Sequence, residues 1–164
     1  MPLQLTNLPA FKAYFEAIAI GPTHHVDIDG FKFGDRDVAI RNAKSGMEPR
    51  VLWLEWYKPF NIEDELADNI LRRKRARLAY MKTATSELES DEATAYDECE
   101  KVMEQILAKM LADKREVKIV TTLSSYQLGP FETELGATKY IGCAMDFEFK
   151  DNSPLVVDPT KWTT

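Results

Sequence analysis

The residues most suggestive of chemistry lie near the C-terminus, in a stretch of alternating apolar and charged residues. Asp146, Glu148 and Lys150 stand at i, i+2 and i+4, so a strand would place all three on one face. Two carboxylates and a lysine are the groups with which a metal-dependent phosphodiesterase holds its ion and polarises the attacking water. The same alternation occurs on any solvent-facing side of a strand, so the pattern permits nuclease chemistry without requiring it.

A second set of possible ligands is His25, Asp27 and Asp29. In a strand they would share a face, and one histidine with two acids suits several divalent metals. Asp29-Gly30 is also a tight-turn signal, and no second ligand cluster supports a metal centre. We therefore expect no metal, no cofactor and no catalytic residues.

The sequence lacks the residues and motifs that nucleophilic catalysis requires. The two histidines are adjacent, His24 and His25, and no G-x-S-x-G elbow, Walker loop or G-x-G-x-x-G turn occurs. Cys99 and Cys143 fall on apolar faces, which predicts small buried hydrophobic residues in a reducing compartment. We expect a protein that is not an enzyme.

The strongest local charge feature is a basic run, which consists of Arg72, Arg73, Lys74, Arg75 and Arg77 with Lys82. It could contact phosphates or an acidic partner surface, or it could protect an edge strand from uncontrolled pairing. The acidic stretches 63–68 and 87–100 would complement it in a homo-oligomer, so that the basic strand of one subunit faces an acidic segment of the next. Trp162, in a proline-containing tail, is either an interface residue or packs on its own domain. The candidate subunit-interface residues are Arg72, Arg73, Arg75, Arg77 and Trp162.

The elements that would position these residues predict one α+β domain over residues 1–153 and an extended arm over 154–164. Since strands and helices do not alternate strictly, we expect a mostly antiparallel sheet with an N-terminal helix and one long helix on one face. The predicted elements are helices at 8–20, 35–44 and 91–114; a hairpin at 26–33; a central strand at 50–57; a loop or helical turn at 61–69; strands at 70–83, 117–125 and 140–150; and turns from 129 to 136.

Composition limits the class of protein. The chain has 164 residues, 45% of them hydrophobic and 29% charged, which is ordinary for one globular domain. A net charge of −6 argues against a dedicated nucleic-acid binder. No signal peptide or stretch of about 18 apolar residues is recognisable, so we expect a cytoplasmic protein without membrane contact.

The layout resembles that of tail terminator and neck proteins of tailed phages and phage-like particles. The resemblance is carried by the helices at 8–20 and 91–114, by the strand Arg50-Val51-Leu52-Trp53-Leu54-Glu55, and by the ending from Tyr140 to Phe149. It is a likeness of element order and length, so no functional residue is transferred. It implies a subunit of a homo-oligomeric, hexameric ring that ends the tail tube and meets tube, sheath and neck or connector proteins. It also implies a virion protein assembled in the host cytoplasm, whose lumen passes DNA without specific binding.

Two other functions stay open at this point. Glu148-Phe149-Lys150 fits the E-x-K pair of nucleases of the PD-(D/E)xK type, although no helix follows the strand as it does in those enzymes. Alternatively, the chain is a small adaptor that binds an acidic protein through the basic run from Arg72 to Arg77.

Overall fold

The computed structural model describes residues 8–35, 47–55, 58–64, 70–84, 89–116, 118, 122–135 and 138–151. In this part of the chain two helices and six strands build the α+β fold predicted from the sequence. They are α1 (Leu8–Ile20), β1 (Gly30–Phe33), β2 (Arg50–Leu54), β3 (Lys58–Asp64), β4 (Ile70–Thr83), α2 (Glu89–Arg115), β5 (Thr122–Leu135) and β6 (Thr138–Asp151).

One sheet contains all six strands, in the order β1-β2-β4-β6-β5. β3 pairs with the N-terminal part of β4, and β2 pairs with its C-terminal part. β1 and β2 run parallel, while the other pairs are antiparallel. β4 and β6, with fourteen residues each, therefore form the long centre of the sheet.

Both helices pack on the same face of the sheet, here called the helical face. The apolar stripe of α1 places Phe11 against Phe149 of β6, with ring centroids 5.2 Å apart. Along β6, Cys143, Met145, Phe147 and Phe149 alternate into this core because successive strand residues point to opposite faces. α2 adds a second buried stripe, which contains Cys99, Val102, Met103, Ile106 and Met110.

A buried polar contact joins the two helices. Asp113, near the end of α2, is 3% exposed and accepts a hydrogen bond of 3.0 Å from the Tyr14 hydroxyl of α1. Lys109, one turn earlier, forms an ion pair with the same carboxylate. Burial, together with the nearby Asp113 charge, raises the pKa of the Tyr14 phenol, so this hydroxyl remains a donor at neutral pH.

The opposite side of the sheet, here called the outer face, is apolar along one half. Val51, Trp53 and Met81 are buried there with Leu135 and Tyr140, and the Trp53 ring meets Phe131 edge to face. The backbone of β4 approaches Gly142 of β6 so closely that a Cβ at this position would lie 2.0 Å from the Tyr80 carbonyl oxygen.

The structure corrects three local predictions. The segment 26–33 is no hairpin, because β1 begins at Gly30 and pairs in parallel with β2. The segment predicted as a loop or helical turn contributes its first four residues to β3, with Pro59 tolerated because β3 lies at the edge of the sheet. β5 runs straight through Gly129 and Pro130, where turns were expected, for the same reason.

The other predicted elements fare as follows. The helices at 8–20 and 91–114, the strand at 70–83 and the last strand are confirmed to within two residues. The predicted central strand is confirmed over Arg50–Leu54, between β1 and β4. The strand predicted at 117–125 is confirmed from Thr122 onward, and of its earlier residues only Lys118 is among those described. Apart from residue 35, the helix predicted at 35–44 lies outside the described residues, as does the arm at 154–164.

Candidate interaction site on the outer face of the sheet

The second half of the outer face is charged, and it contains four of the residues that the sequence marked as chemical, Arg75, Arg77, Asp146 and Glu148. β4 and β6 pair in a register that sets Arg77 opposite Asp146 and Arg75 opposite Glu148. These residues lie about 70 positions apart in the chain, and the sheet brings them side by side. Two residues of the basic run, Arg75 and Arg77, and the two carboxylates of the nuclease alternative therefore lie on neighbouring strands of one surface.

The opposed residues form ion pairs. Arg77 holds Asp146 through two hydrogen bonds, from Nε at 2.8 Å and from Nη2 at 2.9 Å. Arg75 donates from Nε to Glu148 at 2.7 Å. The hydrogen bond with Asp146 raises the pKa of the Arg77 guanidinium, so this pair stays charged at all pH values at which the carboxylate is ionised. Guanidinium groups thus bind both oxygens of Asp146 and one oxygen of Glu148, and a metal ion would compete with them there.

An open groove of about 470 Å³ runs over these pairs. One wall is formed where β5 bulges, since the β5–β6 register shifts between Ser124 and Gln127 and Ser125 has a left-handed φ of 56°. Glu55 lines the opposite end of the groove. Bulges of this kind re-aim side chains at sheet edges and are frequent beside functional sites. The groove is walled by three carboxylates and two guanidiniums, which suits recognition of a polar or charged surface.

The second predicted ligand set is also organised around an arginine. Arg50 donates to Asp29 from Nε at 2.9 Å and from Nη2 at 2.7 Å, and to Asp27 from Nη1 at 3.1 Å. His25 uses one ring nitrogen to accept the Asp27 backbone N–H and the other to bond Gln105. The hydrogen bond from Arg50 lowers the pKa of the Asp29 carboxyl. These residues fasten the α1–β1 connection to β2 and α2, which is a structural role.

The described residues give little support for a metal site or for a reactive cysteine. No group of three or more histidine, cysteine, aspartate or glutamate side chains is arranged there to hold an ion. Both cysteines are buried and free, as predicted. Burial raises the pKa of the Cys99 thiol to about 11, so it is neutral at physiological pH and a poor nucleophile.

The candidate interface residues divide into those that the structure places fully and those that it does not. Arg75 and Arg77 lie together on the outer face, paired within their own chain. Arg77 already holds Asp146 of its own chain, and that the basic strand faces an acidic segment of the next subunit stays a prediction. Arg72 and Arg73 are placed by the backbone of β4, while Trp162 lies outside the described residues.

Sequence reasoning missed Glu55, which lies beside Arg77 because its backbone N–H bonds the Arg77 carbonyl at 3.0 Å. It also missed Glu104, which extends the acidic face of α2 beyond the stretch 87–100. Helical spacing alone could have found Glu104, since it stands one turn after Glu100. Glu55 could be found only from the strand register.

Comparison with models of known protein families and with curated protein sequences gives no match for this chain. Neither helix in the described part of the chain is long and apolar enough to cross a membrane.

Proposed function

We propose that this chain is a structural subunit of a homo-oligomeric ring, expected to be hexameric, that ends the tail tube of a tailed phage or phage-like contractile particle and joins it to the neck. The proposal rests on the resemblance in element order together with the α+β fold, in which an N-terminal helix and one long helix cover one face of a mostly antiparallel sheet. Because a fold alone does not fix a function, the charged surface has to supply the further argument.

The observation that carries the proposal is the pairing of Asp146 and Glu148 with Arg77 and Arg75. In a nuclease, a metal ion would have to compete with these arginines for both oxygens of Asp146 and one oxygen of Glu148. As arranged, they hold cations in position on an exposed surface, which is what a protein-binding face requires. The groove above them and the bulge of β5 give that surface a defined shape.

The proposed partners follow from this assignment. They are further copies of the chain in the ring, the tail tube or sheath on one side, and a neck or connector protein on the other. DNA would pass through the lumen without specific binding, which agrees with a net charge of −6. The protein would assemble in the host cytoplasm and reside in the virion.

Native mass spectrometry of the purified chain, alone and mixed with the tail-tube protein of the same particle, tests the proposal. We expect a hexamer either for the chain alone or for the chain mixed with tube protein, since a ring of this kind can require the tube as a template. A monomer under both conditions would contradict the ring.

The two competing functions have their own readouts. Magnesium-dependent DNA cleavage that is lost in Glu148→Ala would favour the nuclease. A monomer that binds an acidic protein, and loses that binding on charge reversal at Arg75, would favour the adaptor.

A further inference from the structure

The side of α1 that faces solvent is largely apolar. The helix carries two charged side chains in thirteen residues, Lys12 and Glu16. Its exposed residues are Pro9, Ala13, Ala17 and Ile20. Ile20 is 51% exposed, and Val26, in the connection from α1 to β1, is 79% exposed. These two are the exposed large hydrophobic side chains of the described residues, so α1 and its C-terminal end present an apolar surface that a partner could cover.

The outward-facing residues of α1 are spaced like those with which one helix packs on another. At 3.6 residues per turn, four of them lie in one line opposite the buried stripe, at intervals of four, three and four residues. This α1 row consists of Pro9, Ala13, Glu16 and Ile20. Lys12 lies along one flank of the row, where it forms an ion pair of 3.5 Å with Glu16, and Ala10 and Ala17 lie along the other flank.

The charges of the α1 row match a second copy of the same helix. If two copies lie antiparallel, with a two-fold axis near the middle of α1, Lys12 of each copy comes next to Glu16 of the other. Both side chains are about two-fifths exposed, at 43% and 41%, so they can reach a partner. A parallel pair would set the charged flank of one helix against the alanine flank of the other and form no such ion pairs. The charges therefore favour the antiparallel arrangement.

The apolar residues fit the same arrangement. On the flank opposite the charges, Ala10 of one copy would meet Ala17 of the other, and such small side chains let helix axes approach to about 8 Å. At each end, Ile20 would cover Pro9 at the start of the partner helix. Every contact occurs twice, which is the property of an isologous interface.

We propose that free copies of the chain pair through α1, with the two helices antiparallel. The inference goes beyond the proposed function, because a ring of six copies is built from heterologous contacts and needs no two-fold axis between neighbours. The contact extends over about 20 Å of helix, which places it among the small, weak interfaces. Pairing covers the apolar side of α1 while the chain is free.

Single charge reversals test the pairing. Lys12→Glu gives acids at both charged positions of α1, and Glu16→Lys gives bases at both, so each variant alone would bring like charges together across the contact. We expect each variant to associate about tenfold more weakly than the wild type at low salt, as measured by sedimentation equilibrium. An equal mixture of the two variants should recover the wild-type affinity as a heterodimer, since every acid then meets a base.

The matched control is Lys101→Glu on α2. It reverses one member of the exposed pair Lys101–Asp97, which has the same spacing of four residues as Lys12–Glu16. The control creates the same repulsion within a helix but lies away from α1, and it should associate like the wild type. Circular dichroism checks that all variants keep their helices.

Cross-linking gives a second readout that does not depend on affinity at equilibrium. Both native cysteines are buried, so Ala13→Cys adds one exposed thiol near the proposed two-fold axis. Diamide, a thiol oxidant, should join two such chains by a disulfide while it is itself reduced to the hydrazine. Ala108→Cys, at an exposed position of α2, should cross-link more slowly, and adding Lys12→Glu to Ala13→Cys should slow the reaction.

Three outcomes would overturn the pairing. The first is that Ala13→Cys cross-links no faster than Ala108→Cys. The second is that both charge variants associate as strongly as the wild type, or that mixing them recovers nothing. The third is that the wild type alone stays monomeric while the charge variants lose binding to tube protein, since α1 would then contact the tube instead. None of these outcomes decides whether six copies form a ring on the tube, which native mass spectrometry with tube protein tests separately.

Discussion

A double-mutant cycle on Arg77 and Asp146 measures whether the carboxylates of the outer face are structural. The two side chains are 43% and 50% exposed, and exposed ion pairs contribute about 0.2–1 kcal/mol. The two-pronged geometry, at 2.8 and 2.9 Å, places this pair in the upper part of that range. We expect Arg77→Gln and Asp146→Asn to show a coupling energy of about 0.5–1 kcal/mol.

Urea unfolding supplies the assay. With an m-value of about 2 kcal/mol/M, that coupling corresponds to a shift of about 0.25–0.5 M in the unfolding midpoint. It should shrink in 0.5 M salt, because screening weakens exposed pairs. The exposed pair Asp97–Lys101 of α2 is the control, with an expected coupling of at most about 0.5 kcal/mol.

Magnesium separates the structural account from the catalytic one in the same experiment. An ion present at a hundred times its dissociation constant would stabilise the folded chain by about 2.7 kcal/mol, which exceeds the pair coupling several-fold. We expect magnesium to leave the midpoints of the wild type and Asp146→Asn equally unchanged. A coupling below about 0.2 kcal/mol, or a large stabilisation by magnesium that Asp146→Asn abolishes, would refute the structural role.

Three further outcomes are expected. Gly142→Ala should lower the free energy of unfolding by about 1–3 kcal/mol because its Cβ would strike the backbone of the neighbouring strand, whereas Gly129→Ala, with nothing within 4 Å, should change it by under about 1 kcal/mol in urea titrations. Cys99, with a pKa of about 11, should stay unmodified by a thiol reagent at pH 8 until denaturant is added, and rapid labelling of the native chain would contradict its burial. The hydrogen bond from Arg50 lowers the folded-state pKa of Asp29, so the stability it contributes is present above the ordinary aspartate pKa of about 4 and is lost as pH falls through the lowered value. The stability difference between wild type and Arg50→Gln should therefore shrink in that acidic range, and a difference independent of pH would argue against the linkage.

Much of the fold follows from local patterns in the sequence. The alternation from Cys143 to Phe149 predicts which side of β6 is buried, and the apolar stripe of α2 predicts a long helix on the core. Both are period signals that need no knowledge of the partners. The start and end of α1 are equally local, since Gly21 and Pro22 cannot continue the helix.

The failures have non-local causes. Asp29-Gly30 carries the local signature of a hairpin turn, but Asp29 instead binds Arg50, 21 residues away, and β1 pairs with β2. Pro130 suggests a turn, yet a strand at the sheet edge tolerates proline, and the sequence does not reveal which strand is the edge.

The sequence predicted individual residues of the candidate site but not which of them pair with each other. Basic residues on β4 and carboxylates on β6 were found separately, and each set suggested its own function. Only the register shows that Arg75 meets Glu148 and Arg77 meets Asp146, because these pairs are set by sheet topology rather than by local sequence.

Electron microscopy of tail tubes mixed with the purified chain tests the ring function most directly. The account predicts ring-shaped density at one end of each tube, containing six copies of the chain, and tubes that no longer lengthen when tube protein is added. Tubes with bare ends that keep growing, or chain bound along their sides, would contradict it.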